Sequence, residues 1–342
     1  MPMFSLAELE AALPLVRRVV PATPLHAWPL LAQRTGAQVW VKHENHTPIG
    51  AFKIRGGVVY LDALKRREPA ARGIVTATRG NHGQSVALAA SSAGFPCTLF
   101  IPHGNSREKN QAMQAFGAEL AVGGADFDEA REHAERFATE RGYHFLPSFH
   151  PDLVKGVATY ALEMFQAVHD LDAVYVPIGM GSGICGVITV RDLLGLDTDI
   201  IGVVADKAPT IALSFEAGRP VPTNSCATFA DGMACRVPDP DALTTIRKGA
   251  ARIVRVSEDE IAAAMRATYE DTHNLAEGAG AAALAALMQE RDIMAGKRVG
   301  LVLSGGNIDR ELFAEVLAGG TPDVARMGEA AVTANKSSVE LT

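Results

Sequence analysis

The side chains best suited to chemistry fall in four short segments. The first, Pro48-Ile49-Gly50-Ala51-Phe52-Lys53-Ile54-Arg55-Gly56-Gly57, sets a lysine in an apolar stretch where a loop should turn into a helix. A lysine taken out of water loses part of its preference for the charged form, and its amine can then condense with an aldehyde cofactor as a Schiff base. Gly50 permits an unusual backbone angle or a close ligand approach, and Phe52 is expected to point away from Lys53. The plain alternative for this segment alone is a surface lysine whose stem lies along apolar neighbours.

The second segment, Thr78-Arg79-Gly80-Asn81-His82-Gly83-Gln84, follows an apolar run and opens a helical pattern. Its amides can face an anion at the helix N-terminus, although an ordinary capped turn would read the same way. The third, Gly179-Met180-Gly181-Ser182-Gly183, lies between the strand ending at Pro177 and a helix. Successive amides there can form a nest for a phosphate, with the helix dipole behind it. Asp197 and Asp199 stand about 20 residues on, as a dinucleotide fingerprint requires. A nicotinamide dehydrogenase therefore stays open at this point, and only the mid-chain position of the loop counts against it. The fourth, Leu303-Ser304-Gly305-Gly306-Asn307, puts a hydroxyl at the tip of an apolar strand, where α/β sheets bind ligands. Ser304 could hydrogen-bond a ring nitrogen without protonating it, or could simply form a turn.

The elements that must position these segments alternate. Strands are predicted over 73–77, 97–102 and 119–122, with helices over 84–91, 107–116 and 126–141 between and after them. The rhythm resumes with a helix over 157–169, a strand over 173–177, a helix over 184–194 and a strand over 200–204. After a turn-rich stretch come a strand over 253–256, helices over 257–272 and 279–289, and a strand over 298–303. A helix over 52–66 carries the lysine, and a short N-terminal helix capped by Ser5 and Glu8 is expected to stop at Pro14. Such βαβα order argues for an α/β protein with parallel sheets covered by helices.

Composition agrees with that class. The 342 residues include 32 glycines and are 48% hydrophobic, 21% charged and 6% aromatic, which suits about two close-packed domains. A net charge of −7 gives no reason to expect nucleic acid or an anionic membrane as partner. The four cysteines, Cys97, Cys185, Cys226 and Cys235, form no CxxC pair and no metal-like spacing. They read as thiols of a reducing cytoplasm. Glu8 and Glu10 sit where an export signal would need an apolar core, and no apolar run approaches a membrane span.

Taken together, Phe52-Lys53-Ile54-Arg55-Gly56, Gly80-Asn81-His82-Gly83-Gln84 and Ser304-Gly305-Gly306-Asn307 resemble the fold-type II pyridoxal-phosphate enzymes of the threonine/serine dehydratase and serine racemase group. Thr78-Arg79-Gly80-Asn81-His82 and Thr228-Phe229-Ala230-Asp231-Gly232-Met233 are similar to a side branch with hydroxyectoine-utilisation and phenylserine dehydratases. The resemblance spans roughly Thr23 to Asp309. It implies a two-domain, tryptophan synthase β-like fold, each domain an open, mostly parallel sheet covered by helices. Residues 1–72 with 149–320 would form the large cofactor domain, 73–148 the small one and 321–342 a loosely ordered tail.

The resemblance further implies pyridoxal 5′-phosphate on Lys53, with Phe52 flanking the ring and Asn81 bonded to the 3′-oxygen. Gly179, Met180, Gly181, Ser182 and Gly183 would hold the phosphate, Glu277 of Ala276-Glu277-Gly278-Ala279-Gly280 would lie beside the cofactor, and Ser304 would meet the pyridine nitrogen. Thr78, Arg79, Gly80, Asn81 and His82 would bind the substrate carboxylate, and Arg79 joins Lys53 among the catalytic groups. The implied reaction is β-elimination from a β-hydroxy-α-amino acid, threonine-, serine- or phenylserine-like, to a 2-oxo acid and ammonia, in a cytoplasmic homodimer. A β-replacement synthase or a racemase would use the same cofactor.

Three departures bear on that reading. Arg79 stands where the racemases carry a serine acting as base on the face opposite the lysine, and a guanidinium stays protonated. The segment Val204-Ala205-Asp206-Lys207-Ala208-Pro209-Thr210 lacks the acidic pattern of cation-binding members, so no metal is expected. Ala51 replaces a serine before the Phe-Lys pair. With few residues after Ser304 in this sequence, feedback control by a branched-chain amino acid, as in threonine dehydratases with a regulatory domain, is not expected.

Overall fold

In the computed structural model, which describes residues 3–323, ten strands form two sheets. They are β1 (Leu25–Ala27), β2 (Gln38–His43), β3 (Ile74–Ala77), β4 (Cys97–Ile101), β5 (Glu119–Val122), β6 (His144–Phe145), β7 (Ala173–Pro177), β8 (Asp199–Ala205), β9 (Ala250–Val256) and β10 (Arg298–Leu303). The larger sheet runs β1-β2-β10-β7-β8-β9 and the smaller β5-β4-β3-β6. Every pairing is parallel except that of β1 with β2.

Parallel strands crossed by helices are covered on both faces, so their sequences read as unbroken apolar runs. All of Ile74–Ala77 is buried, as are Ala173–Val176 of β7 and Val299–Leu303 of β10. This arrangement decides where ligands can sit. The carboxyl ends of β3, β7 and β10 deliver the Thr78, Gly179 and Ser304 segments, and loops at such ends are where open α/β sheets bind.

A buried ion cluster fixes the lysine helix, Lys53–Arg67, from below. Arg55 is fully buried, with Nε at 2.7 Å from Glu44 Oε2 and Nη1 at 2.9 Å from Glu163 Oε1. Lys42 Nζ lies 2.6 Å from Glu163 Oε2, and Thr23 Oγ1 donates to Glu44 Oε1 at 2.6 Å. Two carboxylates, a guanidinium and an ammonium thus satisfy one another out of water. Removing one member of such a set costs about 3–5 kcal/mol.

Several boundaries differ from the sequence expectation. The first helix, Leu6–Arg17, runs through Pro14. Pro14 faces solvent, as does Glu10 one turn earlier, so water can satisfy the carbonyl that loses its helical partner. The helix expected over 157–169 begins at Pro151, capped by His150. The helix at the Asn81 turn covers Asn81–Ala93 rather than 84–91. Helices Pro29–Thr35 and Pro240–Gly249 were not anticipated, since each starts on a proline that reads as a break. The helix Arg310–Leu317 follows the last strand and packs on the helix Glu258–Thr272, and most of the expected loose tail over 321–342 lies outside the described residues.

Candidate active site

Lys53 opens its helix directly after a loop stitched to the Ser304 segment. Phe52 N–H donates to Ser304 O at 3.1 Å, Gly306 N–H donates to Gly50 O at 2.9 Å, and Ala51 bridges Gly305. Gly50 adopts φ +68°, and a Cβ there would lie 2.6 Å from Asn307 Oδ1, so only glycine fits the crossing. Lys53 Nζ sits 3.1 Å from Ser182 Oγ, and among the described residues no carboxylate approaches it. Burial with no compensating anion lowers its pKa to about 8. Phe52 does not point away as expected. Lys53 Nζ lies over its ring, 5.0 Å from the centroid.

The glycine loop ends in the helix Ser182–Leu193, with Gly181 at φ +100°. A Cβ at Gly179 would collide with the Gly232 carbonyl, so this strand-to-helix turn is built for backbone alone. The amides of Gly179, Met180, Gly181, Ser182 and Gly183 take no acceptor among the described residues. Open amides at a helix N-terminus beside an uncompensated amine make a ready anion cradle.

At the second helix N-terminus the amides divide. Thr78 N–H donates to Phe100 O at 3.0 Å, and Thr78 Oγ1 accepts from the amides of Gly80 at 3.0 Å and Gly83 at 2.9 Å. Thr78 and Gly80 therefore shape the turn, while the amides of Arg79, Asn81 and His82 stay open. His82 is held near pKa 3 by burial and by the charge of Lys53, so its imidazole is neutral. The Arg79 guanidinium, part-exposed, makes no ion pair or hydrogen bond among the described residues. The pairing at the cleft mouth belongs instead to Arg236, whose Nη2 lies 2.8 Å from Asp126 Oδ2 and 2.5 Å from Asp128 Oδ2.

Asn81 is fixed from both ends. Its Nδ2 donates to Glu277 Oε1 at 2.6 Å, and its Oδ1 accepts from Asn307 Nδ2 at 2.8 Å. Glu277 in turn meets Lys109 Nζ at 3.1 Å, and Lys109 also pairs with Asp231 at 2.6 Å. Lys109 is not singled out by the sequence, and Asn307 enters there only as the end of the Ser304 segment, with no role of its own. The only sequence trace of Lys109 is its spacing, four residues before Met113, which puts both on one face of the helix Arg107–Ala115; the structure shows that this face is buried.

One cleft between the two sheets is lined by Phe52, Lys53, Thr78, Arg79, Gly80, Asn81, His82, Gly179, Met180, Gly181, Ser182, Gly183, Glu277 and Ser304. Every site residue expected from sequence is thus brought together. Ser304 is nearly buried, and its hydroxyl makes no hydrogen bond among the described residues. Asp206, the acid left in the would-be cation segment, is occupied by Arg255 Nε at 2.8 Å.

Residues 16–305 match the family model described as pyridoxal-phosphate dependent enzyme. Among curated relatives, the chain is 34% identical to an L-threonine ammonia-lyase of Thermotoga maritima over 316 residues, covering 92% of this chain and 78% of the relative. Among solved structures it superposes on processed threonine deaminase isoform 2 of Solanum lycopersicum with a TM-score of 0.83 at 29% identity, covering 93% of this chain and 95% of that one. A pyridoxal 5′-phosphate-dependent aspartate racemase superposes with a TM-score of 0.86 at 28% identity, covering 91% and 98%. The family match replaces the nicotinamide reading of the Gly179 loop.

Proposed function

The chain belongs to the pyridoxal-phosphate dependent enzymes, and on that premise we propose that it is a lyase removing water and then ammonia from a β-hydroxy-α-amino acid of the threonine or serine kind. The observation that carries this reading is the Lys53 amine: lowered in pKa, free of carboxylates, and in the same cleft as the open amides of Gly179–Gly183.

The residues present fit the cofactor. The amide nest suits a phosphate, the amine suits an aldehyde, and the unengaged Ser304 hydroxyl suits a pyridine nitrogen. When bound, pyridoxal phosphate supplies a carbonyl that takes up amines and a ring that draws electrons from Cα. Lys53 would hold it covalently at rest, with Phe52 flanking the ring. Asn81 keeps one Nδ2 hydrogen for the 3′-oxygen, since the other is given to Glu277. A hydroxyl partner such as Ser304, unlike an acid, leaves the ring nitrogen uncharged.

Substrate binding falls to the open amides of Arg79, Asn81 and His82, which can take the α-carboxylate at a helix N-terminus. Lys53 Nζ is the group placed to accept the Cα proton. The β-hydroxyl then leaves with a proton as water, and the released enamine hydrolyses to the 2-oxo acid and ammonia. Racemisation needs a second base on the opposite face. Arg79, which stands in sequence where the racemases carry that base, cannot accept a proton at neutral pH.

The same reading takes residues 73–148 as a small domain closing on a large one of 1–72 with 149–320, and the enzyme as a cytoplasmic homodimer. The four thiols are all free, in keeping with a reducing compartment. Among the described residues no helix is long and apolar enough to cross a membrane. The test is release of ammonia and 2-oxo acid from threonine, serine, 3-hydroxyaspartate and phenylserine, with chiral analysis of the remaining substrate. Equal release from at least one of them supports the lyase. Inversion of configuration without ammonia would replace it with a racemase.

A further inference from the structure

Besides Lys53, one other lysine lines the cleft, and the proton-transfer scheme above leaves it unused. Lys109 belongs to the helix Arg107–Ala115 beside the smaller sheet, yet its ammonium pairs with two carboxylates across the cleft. Nζ lies 2.6 Å from Asp231 Oδ2 and 3.1 Å from Glu277 Oε2, both on segments of the larger unit. The stem passes directly under the Asn81 turn, since a Cβ at Gly80 would overlap Lys109 Cδ. The turn and the lysine are fitted to each other.

The other oxygen of Glu277 accepts from Asn81 Nδ2 at 2.6 Å. On the far side, Asn307 Nδ2 donates both to Ile49 O at 2.7 Å and to Asn81 Oδ1 at 2.8 Å. With a backbone carbonyl naming the Asn307 nitrogen, the Asn81 oxygen is named too, and its amide has a single orientation. That orientation leaves one Nδ2 hydrogen for the cleft. It also depends on Glu277 remaining an acceptor.

We infer that Lys109 and Glu277 are positioning residues for the cofactor: the Lys109 ammonium anchors the Glu277 carboxylate, and that carboxylate fixes the Asn81 amide with one N–H left for the cofactor oxygen. Because Lys109 comes from the smaller unit, the arrangement is complete only when the two units are docked. The inference rests on pyridoxal phosphate being the occupant of the cleft. The charged groups that face Glu277 are Lys109 and Asp231, and Asn81 adds a neutral amide. Burial pushes the Glu277 carboxyl up and Asp231 pushes it further, while Lys109 is the main group holding it down. Without Lys109 the Glu277 carboxyl is pushed up further, and once it holds a proton its oxygen becomes a donor and Asn81 loses its fixed orientation.

The experiment uses holoenzyme of the wild type, Lys109→Met and Lys109→Met/Glu277→Gln, with pyridoxal phosphate as the probe. It reads the cofactor dissociation constant and the visible absorbance from about pH 6 to about pH 9, with melting temperature alongside. Lys109→Met should bind the cofactor about tenfold more weakly and gain a pH-dependent absorbance change beyond any that the wild type shows. The double variant should keep the weak binding and lose the pH dependence, because the titrating group is gone. A purely structural lysine would lower the melting temperature and leave spectrum and affinity unmoved, which overturns the inference. Persistence of the pH dependence in the double variant also overturns it. Should Lys109→Met fail to fold, Glu277→Gln alone decides: about tenfold weaker binding sustains the inference, and wild-type affinity ends it. Failure of the wild type to bind the cofactor at all would instead strike the functional reading.

Discussion

Replacing Lys53 by methionine should stabilise the cofactor-free protein while destroying its chemistry. Burial without a counter-ion lowers the lysine from 10.5 to about 8. At about 1.4 kcal/mol per pKa unit, the folded protein carries a penalty of about 3 kcal/mol at pH 7. Residual exposure to the cleft trims that figure through solvent screening, and methionine forfeits the contact with Ser182 Oγ, which contributes about 1 kcal/mol. A net gain of about 1–2 kcal/mol remains. Between about pH 8 and pH 10.5 the native lysine binds fewer protons than the unfolded one, so wild-type stability rises with pH through that window. The methionine variant has no such term, and its advantage should shrink as pH climbs toward 10.5. Urea unfolding of both cofactor-free proteins at about pH 7 and about pH 10 measures this directly. An advantage equal at both pH values, or none at pH 7, would refute the account of Lys53 as a desolvated and uncompensated amine.

Three other substitutions probe the cleft. Gly181→Val forces a β-branched residue to φ +100° with its Cβ 2.9 Å from Ala242 Cβ, and should weaken cofactor binding by about tenfold or more, read by equilibrium dialysis. Retention of native affinity would move the phosphate site elsewhere. Ser304→Asp should shift the visible spectrum and slow ammonia release, because a carboxylate favours a protonated ring nitrogen; an unchanged spectrum would place Ser304 away from the ring. Arg79→Ser should cut kcat/KM for the native substrate roughly tenfold to a hundredfold through loss of a charge-assisted contact and reorder the substrate panel. Since Arg79 has no partner to lose among the described residues, its melting temperature should hold, and a large fall with an unaltered ranking would make it structural.

The sequence was most legible where function is carried by local pattern. The loops around Lys53, Gly179 and Ser304 each couple an apolar strand to glycines or a helix start, and those features show in a few consecutive residues. Pairings between distant residues did not show. Lys109 meets Asp231 across 122 positions and Glu277 across 168, so nothing near Lys109 in sequence reveals why a lysine is buried there. The Arg55–Glu44–Glu163 cluster was hidden for the same reason, since each member alone reads as an ordinary surface charge. Pro14 misled because proline weighs against a helix by its missing N–H. The cost depends on whether the orphaned carbonyl faces water, which the fold decides. Phe52 shows the limit of neighbour geometry, since a helix start turns consecutive side chains less far apart than a strand would.

The most direct test of the central claim is borohydride reduction of the native enzyme followed by peptide mapping. The geometry predicts a pyridoxyl label on Lys53 and loss of the visible band on reduction, with Lys109 unlabelled because its ammonium is committed to Asp231 and Glu277. A label on any other lysine, or none on Lys53, would contradict the account.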